Sequence, residues 1–276
     1  MLRILFLLLT ITLIRLSGAA QELYVFSEPA SNMPSKSISA KITARFPDSK
    51  YNDFFKQRYT PEVMFGVNKN LMVHVATTFS DFYYTPKVKW ESVRGYAKWR
   101  FYSSDDVHQH FRMAAFVEGS YSESPFLYED INLEGDNSGI QAGIIATQLV
   151  SKFAISATVS GIRVFAEQAE HVGHQGHSVS AVNYSLSAGY LLFPRNYTDY
   201  RQTNLNLYVE FLGMSTIDPG HTMIDIAPAI QLIFNSNTKL NFGARFQAKG
   251  EMLRVGENNY YISLERTFLN ALKRKK

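Results

Sequence analysis

The chain has 276 residues, 46% apolar and 14% aromatic, with a formal charge of +4 and no cysteine. Absent thiols exclude disulfides, a lipidated cysteine anchor and thiolate metal sites. Much of the positive excess sits at the two ends, in Arg3 and Arg15 and in Lys273, Arg274, Lys275 and Lys276, so no basic face of the kind nucleic acid needs remains.

Residues 1–20 read as a cleaved secretory signal. Arg3 gives the positive start, Ile4 to Ile14 the apolar run, and Gly18-Ala19-Ala20 the small residues before a cut at Gln21. Arg15 follows too closely for a spanning helix of about 20 residues. Residues 21–36 come next, and Pro29 and Pro34 exclude a continuous helix there. Two readings stay open for this stretch: a periplasmic tether, or a partial plug folded into a barrel.

From residue 37 the sequence alternates apolar and polar or small residues in twelve segments, the signature of strands with two unlike faces. The predicted strands are 37–46, 61–69, 71–80, 90–103, 110–122, 138–149, 152–165, 180–193, 203–214, 222–235, 239–249 and 258–269. The tenth shows the logic: Ile224, Ile226, Pro228, Ile230, Leu232 and Phe234 share one face, while Asp225, Ala227, Ala229 and Gln231 share the other. Many segments exceed the five or six residues usual in globular sheets and reach the roughly 9–11 that a tilted membrane strand needs. Tight turns at 68–70, 150–152 and 235–238, with looser ones at 103–109 and 194–202, alternate with longer polar links at 47–60, 81–89, 123–137, 166–179, 215–221 and 250–257. That rhythm is the one outer-membrane barrels use, with short periplasmic turns and longer outer loops. The expected fold is therefore all-β, a twelve-stranded antiparallel transmembrane barrel over 37–269, with a basic tail at 270–276 and no second domain. The expected setting is the outer membrane of a Gram-negative bacterium, as a monomer in contact with lipid.

On the last strand Tyr260, Ile262, Leu264 and Phe268 line one face, interrupted by Arg266. A terminal strand ending in an aromatic resembles the signal read by the barrel-assembly machinery, although Leu269 to Lys276 run beyond it.

Several stretches carry a wider resemblance: Glu28-Pro-Ala-Ser-Asn-Met-Pro-Ser-Lys36, Pro61-Glu-Val-Met-Phe-Gly-Val-Asn-Lys-Asn-Leu-Met-Val73, Leu207-Tyr-Val-Glu-Phe-Leu-Gly213, and Ile226-Ala-Pro-Ala-Ile-Gln231 followed by Leu240-Asn-Phe-Gly-Ala-Arg245. The chain resembles a broad family of transporter-like outer-membrane barrels associated by name with the meta-pathway of phenol degradation. The resemblance implies an exported barrel and a transport-like role, and carries no substrate.

If the apolar faces meet lipid, the lumen receives Lys41, Arg45, Arg94, Lys98, Arg100, Arg112, Arg245 and Lys249, with Glu62, Glu118, Glu210, Asp225 and Glu265. Arg or Lys at the lipid midplane would cost about 2–4 kcal/mol each. Two readings of these charges compete. They pair across strands and stiffen a closed barrel, or Arg94, Lys98, Arg100 and Arg112 form a basic wall that favours anionic solutes.

The loop sequence His171-Val-Gly-His174-Gln-Gly-His177 places three imidazoles at i, i+3 and i+6, a spacing that lets them converge on Zn²⁺ or Cu²⁺. Glu167 and Glu170 could add oxygen ligands; no other cofactor is expected. A catalytic barrel needs a nucleophilic Ser beside a His, and only His177-Ser178 with Asn183 offers one, so an enzyme is not expected. The functional expectation is a pore passing small solutes, anionic ones among them, by diffusion through a charged lumen. The alternative is a non-conducting barrel that binds metal or a surface partner through the histidine-rich loop.

Overall fold

The computed structural model describes residues 24–48, 56–82, 87–107, 109–125, 127–165, 178–194, 199, 201–250 and 252–273. The signal segment, the three loop histidines and the last three residues of the basic tail lie outside them. Twelve strands appear in chain order: β1 (Ser37–Asp48), β2 (Arg58–Gly66), β3 (Leu71–Ser80), β4 (Lys89–Asp106), β5 (Gln109–Ser122), β6 (Gly139–Val150), β7 (Phe153–Val164), β8 (Ser180–Phe193), β9 (Asn204–Thr216), β10 (Thr222–Phe234), β11 (Thr238–Gly250) and β12 (Asn258–Phe268). Each pairs antiparallel with its neighbours, and β12 closes onto β1 from Ile38↔Phe268 to Asp48↔Asn258.

Closure satisfies every ladder and leaves no edge, which is what a sheet immersed in lipid requires. The outer face is apolar along its length, with Val75, Val117, Ile144, Val159, Leu186 and Phe211 all exposed. Aromatics mark both rims of β4 and β5: Trp90 stacks on Tyr121 near the loop end, and Tyr102 packs edge-on against Phe111 near the turn end. Such belts belong at membrane interfaces.

Three sequence expectations shift. The second strand runs 58–66 rather than 61–69, because the Asn68 side chain accepts from the amides of Asn70 and Leu71 and turns the chain there. The link expected at 103–109 is strand, paired down to Asp106↔Gln109 after a bulge between Arg100 and Tyr102. Lys249 leaves the lumen set: a bulge between Ile224 and Asp225 shifts its phase, so it pairs with outward Ile224 and is exposed. A bulge adds one residue and so exchanges the faces beyond it.

The core is the inside of the barrel. Tyr24, Val25, Leu149, Ala154, Tyr208 and Tyr261 form one buried cluster, and Ile131, Leu133, Ile162, Met214, Met223 and Met252 another. Both draw on segments outside the strands.

Candidate functional site

The lower lumen is crossed by residues 24–36, here called the strap. Its backbone amides are met by one carboxylate. Glu210 on β9, fully buried, accepts from the amides of Val25 at 2.9 Å, Phe26 at 2.8 Å and Ser27 at 2.9 Å, and from the Ser187 hydroxyl at 3.1 Å. Four bonds to one anion offset much of the cost of burying it. Lys98 on β4, also fully buried, donates to Glu28 at 2.9 Å and to the carbonyls of Pro29 at 2.6 Å and Ser31 at 3.1 Å. The Ala30 amide donates to Thr147 Oγ1 at 2.9 Å, and Arg112 donates to Ser31 Oγ at 2.8 Å. Pro29 and Pro34 keep the segment from coiling, so its polar groups point at the wall.

Gly66, the last residue of β2, faces the strap. A Cβ there would lie 2.2 Å from the Pro34 carbonyl oxygen, a backbone atom that cannot swing aside. Gly66→Ala should therefore lift the root of the strap, seen as faster protease cleavage between residues 24 and 36 in folded protein; an unchanged cleavage rate would count against this close approach.

The upper lumen is filled by the third outer link, residues 123–138, here loop L3. Ile131 and Leu133 are buried against the wall. Arg58 clamps the loop base: it donates to Glu91 at 3.0 Å and, through Nη1, to Asp136 at 3.1 Å, while its guanidinium lies 4.1 Å from the Phe82 ring centre. Gly135 sits beside it with φ of 132°, and a Cβ would come 2.8 Å from the guanidinium carbon. Glu134 reaches down to Arg45 and Arg94, and Glu129 accepts from the Leu253 amide at 2.7 Å.

Burial holds the Asp130 carboxyl up at about 7, opposed by the nearby Arg254 and reinforced by Asp136. Glu134, although burial raises it, is drawn down to about 2 by Arg45 and Arg94. The seated loop thus favours the neutral acid at Asp130. Its contribution to seating is complete below the ordinary value of 3.8 and is lost as pH rises through about 7. Hydrogen exchange of L3 amides, corrected for intrinsic rate, should show weaker protection at pH 8 than at pH 5. Asp130→Asn should flatten that difference; a slope unchanged in the variant would assign it elsewhere.

Between strap and loop lies a cavity of about 300 Å³. Its two halves differ. Lys41, Glu62, His74, Arg94, Glu118 and Tyr96, on β1 to β5, make a charged and polar wall, whereas the wall of β6 to β10 mixes Ile145, Leu212, Met214 and Met223 with the uncharged polar Gln141, Ser160, Asn183 and Ser185. The expected lumen cations are where the alternation placed them, Lys249 excepted, but Lys41, Arg45, Arg94, Lys98, Arg112 and Arg245 are each paired with an acid. Arg94 meets Glu62 at 3.5 Å, Glu118 at 3.3 Å and Glu134 at 3.2 Å. Arg112 meets Asp105 at 2.8 Å, Arg245 meets Asp225, and Arg100 lies half-buried opposite Ala114. Asp225 also takes both terminal nitrogens of Arg254, at 2.9 Å each.

Among the described residues no group of histidines and acids is set to hold a metal, and the His171, His174 and His177 reading falls outside them. Tyr260, Ile262, Leu264 and Phe268 face outward from β12. Sequence reasoning missed the acids supplied from outside the strands, Glu28, Glu134 and Asp136, and the cations Arg58 and Arg254. The available signal was the apolar content of the third outer link, Phe126, Leu127, Ile131 and Leu133 among its polar residues.

A closed antiparallel barrel with an apolar belt outside and charge within is the architecture of bacterial outer-membrane barrels. Among solved structures the chain is similar in fold to the KdgM porin, at 7% identity over 83% of this chain and 99% of that one, with a TM-score of 0.51. It is similar also to an outer membrane channel from Pseudomonas putida F1, at 10% identity over 89% and 100% of the two chains, with a TM-score of 0.54. No family model matches the sequence, and no curated protein does.

Proposed function

We propose that this chain is a channel for small solutes in the outer membrane of a Gram-negative bacterium, closed at rest by the strap below and L3 above. The observation that carries the reading is the cavity of about 300 Å³ held between two inserts. Each insert is fixed to the wall by hydrogen bonds, ion pairs and packing rather than by the barrel's own ladders, so each can leave without opening the barrel. A purely structural barrel gains nothing from a void, since unfilled space forfeits packing. The likeness in fold to a porin and to an outer membrane channel agrees with this reading.

Planar-bilayer conductance tests it. Protein comprising residues 21–276 should give rare, brief openings, and the same protein lacking residues 24–34 should give steady, salt-dependent ones. Selectivity should be weak in the open state, because Arg94 keeps Glu62 and Glu118, Arg245 keeps Asp225, and departure of the strap bares Lys98 and Glu210 together. A correctly inserted barrel that stays silent after loss of the strap, with L3 also released by Arg58→Met, would overturn the proposal.

A further inference from the structure

We propose that the turn-end rim at the seam of β1 and β12 binds the phosphate of an anionic phospholipid, through Arg266 on the sheet and Lys36 and Lys273 at its foot. The inference rests on the proposed function only for the barrel's setting in a bilayer, not for conductance. Arg266 faces outward on the last strand between Leu264 and Phe268, and all three are exposed. A guanidinium among lipid-facing side chains is tolerated only near the headgroups, where its cost falls away. Its Nη1 donates to Thr238 Oγ1 at 3.0 Å, which holds the fork against the sheet. Its neighbour across the seam is Ala40, too small to cover it. Nε and Nη2 make no hydrogen bond among the described residues, and a guanidinium grips phosphate through two such parallel donors.

The chain beyond the strand supplies the rest. The start of the basic tail is fixed to the rim: the Leu272 amide donates to the Lys36 carbonyl at 3.0 Å, and the Lys273 amide closes a turn on the Asn270 carbonyl at 3.0 Å. Lys36 is tied in turn to β2, its amide donating to the Gly66 carbonyl at 2.6 Å. The backbone therefore brings Lys36 and Lys273 next to each other at the foot of β1. Both side chains are exposed, and neither they nor Arg266 meet an acid among the described residues. Leu269 and Leu272, in the same turn, are exposed as well, by 56% and 44%. Leucines beside cations suit a membrane surface, where the apolar side chains enter the acyl boundary and the charges meet phosphate.

What adjoins the site decides its occupant. Arg94, Arg112 and Arg245 in the lumen each have an acid within the protein, whereas these rim cations have none and need an anion from outside. Leu264 and Phe268 carry the lipid-facing surface up to Arg266, so the anion that reaches it lies beside acyl chains. A phospholipid joins both in one molecule. A zwitterionic headgroup brings its own ammonium against the three cations, so a headgroup with net negative charge, such as phosphatidylglycerol, is favoured.

The test uses folded protein of residues 21–276 in neutral detergent and native mass spectrometry, with dioleoyl phosphatidylglycerol, dioleoyl phosphatidylcholine and inorganic phosphate as probes. Phosphatidylglycerol should be retained at least about tenfold better than phosphatidylcholine, and inorganic phosphate should not displace it. Lys36→Gln, Arg266→Gln and Lys273→Gln together, all at exposed positions, should remove that preference. Lys87→Gln, Lys89→Gln and Arg163→Gln together take as many exposed charges from the loop end and should leave it in place. Arg266→Lys alone should keep only part of it, because the fork is gone. Equal retention of the two lipids would overturn the inference and leave the rim to a protein partner. Displacement by inorganic phosphate would overturn it in favour of a free anion, and equal loss in the two triple variants in favour of net charge alone. A silent barrel that keeps the preference defeats the channel reading alone; a conducting barrel without the preference defeats this inference alone.

Discussion

On the proposed channel reading, replacing Lys98 with Met should release the strap and raise the open probability by about a hundredfold. The side chain is fully buried and gives its three ammonium hydrogens to Glu28, Pro29 and Ser31. Met keeps the volume and removes every bond, so two carbonyls and a carboxylate are left facing an apolar stem. Breaking a fully buried ion pair costs on the order of 3–5 kcal/mol; Glu28 is 39% exposed, so the loss here lies toward the low end of that range. Part returns when the strap swings out and rehydrates, so about 3 kcal/mol remains to shift the closed state, or about two decades of population. Glu210→Gln should act in the same direction but more weakly, because one amide oxygen can still accept from the strap amides while the anion's advantage is gone. The measurement is single-channel open probability beside the parent. An unaltered Lys98→Met barrel would mean that the strap is held by its apolar cluster around Tyr24 and Tyr208 and not by this contact.

Arg94→Met should strike the barrel itself. Arg94 is the shared cation of Glu62, Glu118 and Glu134, and the first two are buried on β2 and β5. Without it three acids face one another across a desolvated wall, with Lys41 and Arg45 as the nearest compensation. A loss of roughly 3–5 kcal/mol is expected, read as a lower urea midpoint for the folded barrel in detergent at pH 8. At pH 4 the gap between variant and parent should narrow as the acids take up protons. Arg94→Lys should recover only part of the loss, since one ammonium cannot span the three carboxylates that the guanidinium fork reaches. A variant as stable as the parent at pH 8 would show that the acids find other partners.

The wall of the barrel was legible because its grammar is local. A period of two tells each residue of β10 which way to face, and two unlike environments, lipid and lumen, make the alternation strict. Where the reading slipped, a local event reset the phase: the bulge before Asp225 turned Lys249 outward, and Asn68 ended β2 early. The filling of the barrel was hardly legible. Glu210 reads as one more inward acid until the amides of Val25, Phe26 and Ser27 are seen around it. Arg94 reads as part of a basic wall until Glu134 arrives from a loop. These contacts join residues with no periodic relation, so charge placement alone left the paired and unpaired readings level.

The strap also bears on the order of assembly. Val25 and Glu210 are 185 residues apart, Ala30 and Thr147 117, and Glu28 and Lys98 70. Residues 25–31 thus have their partners on β4, β5, β6, β8 and β9, which do not come together until the sheet has curled. Such distant contacts form late, because the chain between them must already be ordered. The strap is then the last piece to settle, entering a cylinder whose sheet is already closed. A barrel built in that order is open when its last strand pairs with its first and becomes stoppered afterwards, and its shortened form should assemble no more slowly than the whole.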